Sequence, residues 1–349
     1  MMMPKQLIVP EPFQIAYEEV EVRPPGPGQV RARTVLSGIS HGTEMAAFLG
    51  TSPFRKKKFT KDRIFADREL SDPPFYPFRF MGYDAVGIVE NVGPGVTAYR
   101  PGDRVWCATP HQTEFLFDEK GPGALRLDEN VTNEDAILLN LAAVALTAVN
   151  DAEVRLGAVV AVVGGGAVGQ LAAQLALLNG ARQVFLIELS RERRQFAAAR
   201  CAVTPIDPGV GVPALQVQQR NRGNPPDVVI ECSGAVPGLQ TAVQAAGIGG
   251  IVVAAGFTTG PATAFSFSEE FLHNRVTIKA SMGVWGCPSR HGPLWPRDRL
   301  LRESLALMET KKLKLDGFVS ATFPFTEGQR AYEAIRDEPG RHLKVALTY

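Results

Sequence analysis

The chain has 349 residues, a formal net charge of +1 and 45% hydrophobic residues. That length suits two domains better than one, and near-neutrality removes any global attraction to nucleic acid or to an acidic membrane surface. Its four cysteines, Cys107, Cys201, Cys232 and Cys287, stand far apart with no CxxC spacing, which argues against a disulfide framework or a four-thiolate zinc site and for reduced thiols in a cytoplasmic protein.

Residues 1–9 hold no apolar run long enough for a signal peptide. The first third reads as a β-rich, barrel-like unit. Residues 30–35 alternate apolar and polar, residues 84–89 form a second apolar run, and turn signals surround both: Pro24-Pro25-Gly26-Pro27-Gly28, Gly93-Pro94-Gly95 and Pro101-Gly102-Asp103. The longest apolar stretch, 136–149, is interrupted by Asn140 and Thr147 and is too short to span a bilayer. From residue 153 the pattern changes. Apolar runs at 159–163, 184–188, 228–231, 251–255 and 276–280 predict strands, and helices fit at 167–179, 191–199, 212–220 and 239–246. Strand–helix repetition with fully apolar strands implies a parallel sheet, giving an α/β, doubly wound domain over 151–288. After Cys287 a helix at 298–311, a strand at 318–323, a helix at 328–336 and a strand at 343–347 are expected to pack back on the N-terminal unit, so that 1–150 and 289–349 form one domain.

Gly164-Gly165-Gly166-Ala167-Val168-Gly169 fits GxGxxG, follows an apolar strand and opens a helix. In that context Gly164 permits the tight turn, Gly166 lets the backbone approach a pyrophosphate, and Gly169 allows close helix–strand packing. The amides of the first turn, with Ala167 and Val168, supply the positive end of the helix dipole for the phosphates. Glu188 stands about 20 residues on, where an acid accepts hydrogen bonds from the adenosine ribose hydroxyls and repels a 2′-phosphate. NAD is therefore favoured over NADP, although Arg191 and Arg193 lie close by and weaken the preference. Glu231-Cys232-Ser233-Gly234 and Gly256-Phe257 end later strands at the edge where ligands sit. Their backbones either approach the nicotinamide half or are simple strand-ending turns.

The order of motifs resembles the medium-chain dehydrogenase/reductase superfamily over nearly the whole chain. The resemblance is carried by Gly38-Ile39-Ser40-His41-Gly42-Thr43-Glu44, Gly82-Tyr83-Asp84-Ala85-Val86-Gly87, Pro101-Gly102-Asp103-Arg104-Val105, the glycine turn, and the ending Lys344-Val345-Ala346-Leu347. It implies a GroES-like catalytic domain interrupted by a Rossmann domain, and a homodimer. Zinc-dependent relatives carry cysteine, histidine and a later cysteine or glutamate as metal ligands. The matching positions here are Ser40 or His41, then Tyr83, then Asn140; hydroxyl and amide groups are poor zinc ligands, and even with His41 counted no complete triad survives. The run of closely spaced cysteines of the structural zinc lobe is also missing. The segments 37–44 and 138–148 are most similar to the zinc-lacking branch that contains bacteriochlorophyllide dehydrogenase, which implies a member with no metal.

Without a metal, a side chain must remove or deliver the alcohol proton. The resemblance places His41, Thr43 and Tyr83 at the reacting centre, with Glu44 and Asp84 supporting it and Lys344 against the pyrophosphate; the alternatives are structural pairs for Glu44 and Asp84, with Arg104 as partner, and a solvated strand-end lysine for Lys344. His41 titrates in the useful range, Tyr83 can donate to a carbonyl oxygen, and Thr43 matches a relay hydroxyl; each could instead be structural. The segment 51–80 carries a basic run, Arg55-Lys56-Lys57-Lys58 with Lys61, then Phe75, Tyr76, Phe78 and Phe80. It reads as a solvated loop or as a lid over a bulky or anionic substrate. A second aromatic loop, 285–296, is a candidate opposite wall.

The leading expectation is a zinc-independent oxidoreductase that moves hydride between NAD(H) and a secondary alcohol or ketone, such as a sugar, cyclitol or bulky natural product, with no nucleic-acid or membrane partner. An NAD(P)H-dependent quinone or enoyl reductase and a dinucleotide-binding protein without turnover are the alternatives.

Overall fold

The computed structural model describes residues 3–259, 261–286 and 295–349. Two compact units emerge: the chain up to Leu138 together with Val319–Tyr349, and Leu139–Phe318.

The first unit is organised by one long strand, Gln29–Ile39, which pairs antiparallel with Ala85–Val92, Glu114–Asp118 and Lys344–Thr348. Its first half alternates as the sequence predicts. Val30 and Ala32 are buried beside Val89, Val105 and Phe115, while Arg31 and Arg33 turn to the acids Glu114 and Glu90. The second half joins another core, in which Ile39 meets Leu7, Phe48, Met81, Tyr332 and Val345. The C-terminal strand thus completes the N-terminal sheet, as expected from the sequence. Helix Gly328–Asp337 links Val319–Pro324 to Lys344–Thr348, and these two strands run parallel.

Segment 51–80 is more ordered than a loop. Lys57–Phe59 and Phe65–Asp67 form an antiparallel hairpin, and Lys58 pairs with Asp72 at 2.9 Å. Phe75, Tyr76 and Phe78 pack on the unit's core, and the Tyr76 hydroxyl donates to Ala47 O at 2.6 Å. These three half-buried aromatics therefore pack against the core of their own unit. Phe80 remains exposed.

The second unit is a six-stranded, all-parallel sheet in the order Val203–Ile206, Gln183–Ile187, Val159–Val163, Val228–Glu231, Ile251–Ala254, Thr277–Ala280. The order reverses between Val159–Val163 and Val228–Glu231, the topological switch at which such sheets bind ligands beyond their carboxyl ends. Helices Leu139–Asp151 and Arg297–Glu309 both belong to this unit and pack on each other. This corrects the expected borders at 150 and 289: apolar faces of both helices are spent inside the dinucleotide-type unit, and only the chain after Phe318 returns to the first. Residues 287–294 of the expected aromatic loop, Cys287 among them, lie outside the described residues. Among the described residues no helix is long and apolar enough to cross a membrane.

Candidate active site

In the second unit, Val159–Val163 is buried along its whole length and delivers the chain into the glycine turn. Gly164 has φ +93°, a conformation costly for any side chain. A Cβ there would lie 2.6 Å from Ser233 N, and a Cβ on Gly169 would lie 1.8 Å from Gly164 O. A Cβ on Gly166, by contrast, would meet nothing closer than Arg193 Nη1 at 3.9 Å. Open space therefore stands before helix Ala167–Leu178, whose N-terminus carries no side-chain cap. Ala167 is buried and Val168 half-buried along the first turn. Such a tip fits a diphosphate.

Glu188 follows the second strand and lies against this turn. Its carboxylate accepts from Gly165 N at 2.5 Å and Ser190 N at 2.7 Å. Arg193 Nη1 lies 4.0 Å from it, while Arg191 is exposed. Ser190 caps helix Arg191–Arg200. Gln170 was not anticipated from sequence; buried, it donates to Gly165 O at 3.1 Å and Arg193 O at 3.0 Å, locking the turn to that helix.

Glu231, also buried, gathers the later strand ends. Its carboxylate accepts from Ser233 N at 2.6 Å, Gly234 N at 3.2 Å and the Ser233 hydroxyl, and its carbonyl accepts from Gly256 N at 3.0 Å. Burial raises the Glu231 pKa against these bonds. Burial, aided by the Glu231 charge, also pushes up the Cys232 thiol, so Cys232 is no thiolate nucleophile. Gly256 is sterically required, since a Cβ would fall 2.4 Å from Gly234 N.

In the first unit, the turn before helix Thr43–Phe48 brings Ser40 to Tyr83, whose hydroxyl donates to Ser40 Oγ. The Thr43 side chain also hydrogen-bonds Tyr83, and burial, with the nearby Glu44 charge, drives the phenol above its usual range. Tyr83 is thus a neutral hydrogen-bond donor. His41, next to Ser40 in the chain, is half-buried.

Glu44 and Asp84 do not pair with Arg104, which instead holds Asn133 Oδ1, Asp128 O and Val131 O. Asp84 takes the Trp106 indole N–H at 3.0 Å and faces Lys344 Nζ at 3.6 Å, both side chains fully buried. Lys344 is therefore no solvated strand-end lysine; a Cβ on Gly38 would lie 2.3 Å from its Cε. Glu44 is buried too. It accepts from Ser40 N at 2.8 Å, from Tyr332 Oη at 2.5 Å, and bonds His111 Nε2 at 2.9 Å. Desolvation opposes its charge, but His111 and these hydrogen bonds outweigh burial and hold its pKa low. His111, Ser37, Tyr332 and Tyr349 escaped the sequence reading. The one available signal was polar Ser37 within an otherwise apolar end of its strand. Asn140, expected at the third metal position, lies in helix Leu139–Asp151 of the second unit, with Arg297 Nη2 3.4 Å from its carbonyl. Among the described residues no three His, Cys, Asp or Glu side chains form a metal-holding group.

Comparisons with known proteins agree with this architecture. The alcohol dehydrogenase GroES-like domain family matches residues 26–125, and the zinc-binding dehydrogenase family matches 167–290. D-guloside 3-dehydrogenase of Shigella flexneri is 28% identical over 99% of this chain and 100% of its own. The 2-desacetyl-2-hydroxyethyl bacteriochlorophyllide A dehydrogenase of Cereibacter sphaeroides is 28% identical over 98% and 97%. In structure, 2R,3R-butanediol dehydrogenase from Bacillus subtilis superposes with TM-score 0.77 at 22% identity, covering 99% of both chains. With a GroES-like domain, a parallel dinucleotide-type sheet and alcohol dehydrogenases as relatives along its whole length, the chain belongs to the medium-chain dehydrogenase/reductase superfamily and is an alcohol dehydrogenase-like oxidoreductase.

Proposed function

We propose that the protein interconverts a secondary alcohol and a ketone with NAD(H) as redox partner and without zinc. One observation carries the cofactor reading: a buried carboxylate, Glu188, seated 2.5 Å from Gly165 N at the tip of the second parallel strand. Gly164, Gly166 and Gly169, with the amides of Ala167 and Val168, would hold the diphosphate. Glu188 would take the ribose hydroxyls, and Ser233 and Gly256 would flank the nicotinamide half. Bound there, the nicotinamide supplies or accepts hydride. Arg193, at 4.0 Å from Glu188, is the group that could admit NADP instead. Titration calorimetry tests the choice. NAD should bind more tightly than NADP, and Glu188→Ala should weaken NAD about tenfold or more, equivalent to about 1.4 kcal/mol; equal affinity of the unaltered protein for both dinucleotides contradicts the reading.

The proton is handled by this chain's own groups. In the reducing direction the neutral Tyr83 hydroxyl donates to the carbonyl oxygen, with Ser40, Thr43 and His41 available to pass a proton on. In the oxidising direction the same path runs backwards. The donor set supports a metal-free reaction, because Ser40 and Tyr83 offer neutral hydroxyls already bonded to each other, whereas Zn²⁺ takes thiolate, imidazole or carboxylate. A polyhydroxylated substrate is the preferred class, since D-guloside 3-dehydrogenase is a whole-length relative. A cytoplasmic homodimer with no nucleic-acid or membrane partner completes the proposal.

A further inference from the structure

His111 belongs to none of the groups just assigned, yet every polar atom it owns is engaged. It is completely buried. Its Nδ1 meets Ser37 Oγ at 2.7 Å, and Ser37 Oγ meets Tyr349 Oη at 2.8 Å. Its Nε2 meets Glu44 Oε2 at 2.9 Å. Its amide donates to Met81 O at 2.6 Å, and its carbonyl accepts from Leu7 N at 2.9 Å. The ring also lies against Gly82, where a Cβ would come within 2.9 Å of its Cγ and Nδ1 and 2.7 Å of its backbone nitrogen. Gly82 has φ +97°, so both conformation and space require glycine immediately before Tyr83.

These contacts converge on two chain segments. On one side, Glu44 spends one oxygen on His111 and the other on Ser40 N, at 2.8 Å. On the other, the His111 main-chain amide holds Met81 O and its ring packs against Gly82, the residue before Tyr83. The two side chains that share a hydroxyl hydrogen bond, Ser40 and Tyr83, are thus each one short step from the same imidazole. A hydroxyl pair transfers a proton well only while its oxygens stay in hydrogen-bond range, and small displacements there are costly.

We propose that His111 is a positioning residue for the Ser40–Tyr83 hydroxyl pair, its ring acting through Glu44 on Ser40 and through its contact with Gly82 on Tyr83. The inference rests on reading that pair as the proton-transfer site. It differs from a purely stabilising role in the pattern of its effects. A stabilising histidine lowers the melting temperature and leaves the kinetics of the folded fraction alone; a positioning one slows turnover well below the melting temperature.

Two amide substitutions separate the ring nitrogens. His111→Gln places an amide near the Nε2 position and keeps the link to Glu44; His111→Asn reaches only the Nδ1 position and severs it. Measured well below each variant's melting temperature, His111→Asn should lower kcat about tenfold or more, with dinucleotide affinity unchanged and His111→Gln restoring most of the rate. In a double-mutant cycle, His111→Asn should add less than about twofold to the loss caused by Tyr83→Phe, because both act on one hydroxyl pair. A crystal structure of His111→Asn should show Ser40 N released from Glu44 and the Ser40–Tyr83 hydrogen bond broken. Full additivity in the cycle, equal rates for the Asn and Gln variants, or an intact hydroxyl pair in the crystal would overturn the inference. If Tyr83→Phe alone leaves kcat untouched, the functional reading fails instead, and the crystallographic result still decides whether His111 holds the pair.

Discussion

Tyr83, proposed above as the proton donor, has surroundings that suit a neutral hydroxyl. Burial and the Glu44 charge keep its phenol protonated well past neutrality. Tyr83→Phe removes the hydroxyl while keeping the ring, so kcat should fall about 10²-fold or more with the fold intact, measured by steady-state kinetics alongside circular dichroism. Glu44 gives a pH signature of stability. Its folded pKa is lowered from 4.5, so its contribution is complete above the unfolded value and is lost as pH falls through the depressed folded one. Urea midpoints should therefore drop more steeply below pH 4.5 in the unaltered chain than in Glu44→Gln, and parallel profiles would refute the assignment. Among these residues the sequence made the acids visible but not their partners. Arg104 looked available to Glu44 and Asp84 because it stands in a neighbouring motif, yet Trp106, Lys344 and His111 take those roles across the sheet. Pairings between residues 67 apart, as for Glu44 and His111, are set by topology and leave no local trace.

At the scale of elements, the strand–turn–helix around Gly164–Gly169 was legible because three independent cues agree there: an apolar run, a GxGxxG glycine spacing and a helical pattern. The close approach of Gly169 to Gly164 O makes a sharp prediction. Gly169→Ala must displace backbone, because the new Cβ would sit 1.8 Å from a carbonyl oxygen. The cost should be about 1–3 kcal/mol in chemical denaturation, with weaker dinucleotide binding; an unchanged midpoint would contradict the packing. Val203–Ile206 was missed because Pro205 argues against a strand, but this strand lies at the sheet's edge, where a proline costs no interior ladder bond. Helix Val236–Ala246 begins three residues earlier than read, since Pro237 sits in its first turn, where its missing N–H is harmless. In segment 51–80 the basic residues hid a hairpin, and of the aromatics that suggested a lid Phe75, Tyr76 and Phe78 pack half-buried on their own unit's core while Phe80 stays exposed.

For the whole molecule, the fold class followed from the switch between period-two alternation and buried parallel strands near residue 153. The border between the units did not follow, because an apolar helix such as Leu139–Asp151 does not declare which neighbour it packs on. Substrate choice was equally illegible, since it depends on surfaces assembled from distant segments. The proposed homodimer is checked by light scattering after size exclusion, where a mass near twice the 37.7 kDa chain is expected and a mass near that of one chain would refute it.

The most direct test of the whole account is hydride transfer itself, followed at 340 nm with chelator-treated protein, NAD and a panel of polyols, glycosides and cyclitols. The account predicts NAD reduction by at least one secondary alcohol, at a rate unaffected by the chelator and greater than with NADP. Turnover that vanishes on chelation and returns with Zn²⁺, or no reduction of NAD by any member of the panel, would contradict it.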